Sequence, residues 1–154
     1  MAEEISRERA DYLAEAFCSE FVDFCRIRPG TIRRGYLESS LEVGPIHLQQ
    51  DGVVHAGVIS TMADHSAGYA TFTVIPEDFQ LLTVEYKINF FRPVRGEMLL
   101  CRSRVVKEGM RILVAESEVY ERMEGEEAFA AKATVTLTAV YKEKMPESLR
   151  SAAE

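Results

Sequence analysis

Apolar residues recur three and four apart at Ala10, Leu13, Ala14, Phe17, Phe21 and Phe24, which predicts one amphipathic helix over about residues 5–26. Ser6 suits its cap, and Pro29-Gly30 stops it. Over 31–43, Leu37, Leu41 and Val43 share one parity while Glu38, Ser40 and Glu42 take the other, so a strand is expected, ending at the Gly44-Pro45 turn. A second alternation sets Leu82, Val84, Tyr86, Ile88 and Phe90 against Thr83, Glu85, Lys87 and Asn89, which reads as a half-buried strand. The run Arg92-Pro93-Val94-Arg95-Gly96 breaks it. Extended segments at about 97–107 and 111–123 then flank Glu108-Gly109-Met110 as a hairpin. The last segment puts Phe129, Ala131, Ala133, Val135, Leu137, Ala139 and Tyr141 on one parity, opposite Lys132, Thr134, Thr136 and Thr138. It should be a long strand with one wet face. Residues 143–154 read as a loose tail.

This order, a helix, a strand, a polar loop closing through His55 onto a second helix that runs to about Thr71, and then strands on short turns, lacks the alternating strand-helix units of a parallel sheet. It predicts an α+β fold in which an antiparallel sheet curls over one central helix. A chain of 154 residues, 47% hydrophobic and with no Pro/Gly/Ser-rich break, suits one domain spanning 1–154, with its core at 31–142.

Charge and cysteine content narrow the functional classes. A net charge of -7 with no basic tract argues against a nucleic-acid binder, and the N-terminal helix carries Glu3, Glu4, Glu8, Asp11, Glu15 and Glu20, which repel phosphates. Cys18, Cys25 and Cys101 have neither CxxC spacing nor an even count, so no disulfide framework or structural zinc site is expected. His47, His55 and His65 have no carboxylate partner at ligand spacing, so no metal is expected. With no signal-like segment and no long apolar run, the expectation is a cytoplasmic protein that does not span a membrane.

The candidate chemistry lies in the central helix. A carboxylate, Asp64, interrupts a segment of small and apolar residues, where an unpaired charge costs several kcal/mol. At 100° per residue, Val58, Ile59, Met62, Ala63 and Tyr69 form the apolar side, and Ser60, Asp64, Ala67, Gly68 and Thr71 form a second stripe with room beside the carboxylate. The helix begins after His55, so the amides of Ala56, Gly57 and Val58 are orphan donors at the positive end of its dipole. Such donors suit a carbonyl oxygen that gains charge during acyl transfer, and Gly57 lets a ligand come close. Asp64 is then a candidate general base or nucleophile. A buried hydrogen-bonding anchor for Asp64 and a simple helix-start cap for His55 are the competing readings.

Together these residues resemble the hotdog-fold acyl-CoA thioesterases of the PaaI-like, phenylacetate-degradation group. That group opens its central helix with His-Gly-Gly and carries an Asp nine positions after the His; His55-Ala56-Gly57 and Asp64 keep this spacing. The stretch at 83–96, Thr-Val-Glu-Tyr-Lys-Ile-Asn-Phe-Phe-Arg-Pro-Val-Arg-Gly, resembles the group's next strand and exit turn. The resemblance implies five or six antiparallel strands around the helix, a homodimer or homotetramer, and an active site at the dimer interface. It implies that Asp64 attacks or activates water at a thioester carbon while the Ala56 amide holds the carbonyl oxygen. Gln49, where the group often has Asn, would orient the thioester or the water from the other subunit, and Thr83 would place the water. Ala56 in place of the first Gly adds a methyl group at the mouth. No cofactor is implied, because coenzyme A belongs to the acyl-CoA substrate; its phosphates need cations, for which Arg92, Arg95, Lys107 and Arg111 are candidates. A hydratase or dehydratase of acyl thioesters using His55 and Asp64, and a non-catalytic acyl-CoA-binding module, are the alternatives.

Overall fold

The computed structural model describes residues 4–147. A 17-residue helix, α3 (Ala56–Phe72), lies against a six-stranded antiparallel sheet ordered β1-β2-β4-β5-β6-β3. The strands are β1 (Arg28–Arg33), β2 (Tyr36–Glu42), β3 (Phe79–Phe90), β4 (Met98–Lys107), β5 (Ile112–Met123) and β6 (Glu126–Tyr141). Two short helices, α1 (Arg7–Phe17) and α2 (Glu20–Phe24), precede them. This is the hotdog fold expected from the sequence, with an N-terminal helix added.

The core forms where α3 meets the sheet. Ile59, Met62, Ala63, Ala67 and Ala70 on the helix are buried against Leu37, Leu41, Leu99, Leu113, Val119, Val135 and Leu137 on the strands. Each fully buried Leu or Met contributes about 1.5–3 kcal/mol. The alanines let the helix axis approach the sheet closely. Buried hydroxyls fix its depth: Ser39 and Ser66 share a hydrogen bond of 2.7 Å, and Ser117 donates to the Ala63 carbonyl at 2.7 Å, one residue before Asp64.

The structure departs from the sequence pattern in four places. The N-terminal helix breaks at Cys18-Ser19, and Glu20 takes φ +28°, so Val22 is buried while Phe21 and Phe24 face outward at 63% and 70% exposure. The strand expected over 31–43 is the hairpin of β1 and β2, turned at Gly35 with φ +69°. In β3, Thr83 pairs with Leu137 but Glu85 pairs with Thr136, leaving Val84 as an extra residue. That bulge reverses the parity: Leu81 and Thr83 face the helix before it, and Tyr86, Ile88 and Phe90 share the helix-side parity after it. A second irregularity, with Val119 opposite Ala131 and Tyr120 opposite Phe129, turns Phe129 outward to stack on Phe91 at 5.1 Å. Of the tail expected at 143–154, residues 148–154 lie outside the described residues.

The two sheet edges differ. β1 is short and carries Pro29, Arg28 and Arg33, which discourage further pairing. β3 is 12 residues long, pairs only with β6, and leaves Leu82, Val84, Tyr86 and Phe90 at 44–58% exposure. Such an edge presents unpaired backbone groups together with apolar side chains.

Candidate active site

His55 caps α3: its Nδ1 accepts the Gly57 N–H at 2.8 Å. A Cβ on Gly57 would stand 2.9 Å from that nitrogen, so glycine is what allows the imidazole to close over the first turn. The Val58 N–H is also used, donating to the His55 carbonyl at 3.0 Å. Of the three orphan amides read from the sequence, the Ala56 N–H alone lacks a partner among the described residues. It borders a groove of about 340 Å³ lined by Gln49, Ala56, Ile59, Phe90, Phe91 and Arg92. Gln49 is set there by a tight loop, its N–H donating to Val53 O at 2.9 Å while Gly52 adopts φ +73°. The structure thus brings Gln49, Ala56 and Arg92 together.

Asp64 sits two turns further along α3. Thr83, aimed at the helix by the Val84 bulge, donates its hydroxyl to Asp64 Oδ1 at 2.9 Å. Burial pushes the carboxyl above its ordinary value, against the pull of the Thr83 hydroxyl and of His65. His65 donates from Nε2 to the Phe17 carbonyl at 3.0 Å, and burial holds its imidazole below the usual range. The stripe expected to leave space beside Asp64 is narrower than the wheel suggested. Ala67 and Thr71 are fully buried against the sheet, while Asp64 and Gly68 are half-buried.

Ala56 and Asp64 are eight residues apart on one helix, which separates their backbones by about 12 Å at 1.5 Å per residue. No single carbonyl carbon touches both within one chain. The cations divide in the same way. Arg92 and Arg95 lie on the turn that feeds the start of β4, whereas Lys107 and Arg111 lie at its other end, roughly 30 Å away along the strand.

The sequence reading missed Glu121. Its carboxylate is buried and accepts the Arg95 and Gly96 N–H groups through Oε1, with Oε2 3.4 Å from Arg92 Nε. The signal was present: Leu113, Ala115, Ser117, Val119 and Glu121 share the inward parity of β5, and the last is charged. His47 is also buried and structural, accepting the Gly44 N–H at Nδ1 and donating from Nε2 to the Cys25 carbonyl.

A family model for the thioesterase superfamily matches residues 51–128, a span holding Ala56, Asp64, Thr83 and Glu121. The chain belongs to that superfamily. A thioesterase family protein from Silicibacter pomeroyi superposes with a TM-score of 0.83 at 34% identity, covering 86% of this chain and 98% of that one. A Streptococcus mutans protein solved with acetyl CoA bound has a TM-score of 0.66 at 25% identity, covering 75% and 89%. The PaaI protein of the E. coli phenylacetic acid degradation operon shares the fold with a TM-score of 0.77 at 17% identity, covering 86% and 94%. No helix among the described residues is long and apolar enough to cross a membrane.

Proposed function

We propose that this thioesterase-superfamily chain hydrolyses an acyl-CoA thioester to the free acid and CoA, at a site shared between two copies. The reading is carried by the separation of its two halves: Asp64 with Thr83 at the middle of α3, and the unpartnered Ala56 amide with Gln49 and Arg92 at its N-terminus. An antiparallel two-fold pairing through the exposed β3 edge runs the two strands in opposite directions. It therefore sets the Thr83 stretch of one copy's β3, which meets Asp64, beside the Phe90 stretch of the second, which borders the Ala56 groove. The apolar side chains along that edge support such an interface.

In this site the Asp64 carboxylate takes a proton from water as the water oxygen bonds to the thioester carbon. The Thr83 hydroxyl holds the carboxylate in place. The carbonyl oxygen becomes an oxyanion and accepts the Ala56 N–H at the positive end of the α3 dipole. Collapse breaks the carbon–sulfur bond, and the proton held by Asp64 leaves with the CoA thiol. Direct attack by Asp64, through an anhydride that water then opens, uses the same residues. Gln49 orients the thioester, and His55 serves as the helix cap. The free thiols of Cys18, Cys25 and Cys101 suit work in the reducing cytoplasm. The acetyl CoA bound by the Streptococcus mutans relative supports the ligand class.

A thiol reagent added to the purified protein with a panel of acyl-CoA thioesters is the test. Release of free CoA thiol is the expected result. Absence of thiol release from every thioester, or loss of an enoyl-CoA without thiol release, overturns the proposal, the latter in favour of a hydratase.

A further inference from the structure

We infer that Glu121 is a positioning residue for coenzyme A, turning the Arg92 guanidinium so that it meets a phosphate of the ligand. The inference deepens the proposed function, because it names which cation takes the phosphate and what aims it. The Glu121 side chain is 4% exposed and that of Arg92 is 46% exposed. One end of the pair is therefore anchored on the inward face of β5, and the other reaches the groove that holds Gln49 and Ala56.

The two carboxylate oxygens have separate tasks. Oε1 accepts the N–H groups of Arg95 and Gly96, which fixes the backbone of the 92–96 turn. Oε2 faces Arg92 Nε at 3.4 Å, an ion pair that draws the side chain leaving that turn toward the carboxylate. Donors surround this buried carboxylate: two amides and a guanidinium. Gly96 permits the approach, since a Cβ there would lie 2.6 Å from Glu121 Cγ and 2.8 Å from the Arg122 carbonyl. A guanidinium held through its Nε edge keeps its Nη donors for another acceptor, and Arg92 Nη has none among the described residues. The planar Nη donors match two oxygens of a phosphate. Of the four candidate cations, Arg92 is the one that lines the Gln49–Ala56 groove.

The experiment compares the binding of CoA and of pantetheine, which lacks the phosphates and the adenosine, with dephospho-CoA and adenosine as controls for the adenosine part, by titration calorimetry on the full-length protein. Glu121→Gln keeps an amide oxygen for the turn and removes the charge that holds Arg92. It is expected to weaken CoA roughly tenfold, the size of one charge-assisted hydrogen bond, and to leave pantetheine within twofold. Arg92→Gln should show the same phosphate-selective loss, and the double variant should add nothing further. Equal weakening of both ligands by Glu121→Gln, or no weakening of either, overturns the inference. If Glu121→Gln does not fold, Glu121→Asp, which keeps the charge but withdraws it from Arg92, is read by the same selectivity. Hydrolysis is not needed for this readout, so a protein that binds CoA in this way but cleaves no thioester refutes the proposed activity alone.

Discussion

Asp64→Asn removes a charge and almost no volume. The Asn side-chain oxygen still accepts the Thr83 hydroxyl that Asp64 Oδ1 accepts at 2.9 Å, so the local geometry survives. Two effects of opposite sign follow. Loss of a general base lowers the rate by about 10²–10⁴-fold, equivalent to about 3–5 kcal/mol of barrier. Stability moves the other way. Burial raises the folded-state pKa of Asp64 above its unfolded value, so its favourable contribution is complete below the ordinary carboxylate range and is lost as pH rises through the folded value. Above that value the ionised group destabilises the fold. Asparagine is neutral throughout, so the variant should melt at or above the wild-type temperature at pH 8, with no gain at pH 3. Thiol release from an acyl-CoA measures the first effect, and thermal unfolding at the two pH values measures the second. A variant that melts like the wild type yet keeps more than a tenth of its kcat/KM would refute the role given to Asp64. A variant destabilised at pH 8 would refute the reading of its burial.

Thr83→Val deletes the hydroxyl that draws the Asp64 pKa down, leaving burial unopposed by it, so the acidic limb of the kcat/KM profile should move to higher pH; an unmoved limb sinks the coupling. Ala56→Pro removes the one free first-turn amide while keeping a residue suited to the first helical position, and the extended backbone of His55 (ψ 134°) accepts a following proline. A fall in kcat of about 10²–10³-fold with little change in melting is expected, and retained kcat discards the oxyanion assignment. Val84→Lys puts a charge on the exposed apolar edge of β3. Sedimentation should show a monomer and the thiol assay should show no turnover, whereas a fully active monomer contradicts a shared site.

The helix and its chemistry were legible because their signals are local. A cap at His55, a period of 3.6 and a lone carboxylate are all properties of neighbouring residues, and they identified α3 and Asp64. Thr83 was harder to place from physics alone. Strict alternation puts it on the face opposite Tyr86 and Ile88, and only the Val84 bulge, which depends on how β3 registers against β6, turns it to the carboxylate. Glu121 was missed for a related reason: nothing along β5 reveals that its buried end meets the amides of a turn 25 residues away. The single helix read over 5–26 is two helices, because a break rotates everything after it, and the break at Cys18-Ser19 has no proline or glycine to announce it.

By itself, then, the sequence determined α3 and the long strands, the antiparallel fold class and a thioesterase-like spacing of His55, Ala56 and Asp64, because periodicity, capping and motif spacing are short-range quantities. The tertiary structure decided which of three amides stays free, which side chain props Asp64, and which arginine is aimed at the groove. It also set the two halves of the candidate site about 12 Å apart on one rigid helix. Those outcomes depend on strand register, on bulges and on a buried carboxylate reaching across the fold, contacts between residues whose separation along the chain carries no trace of their meeting.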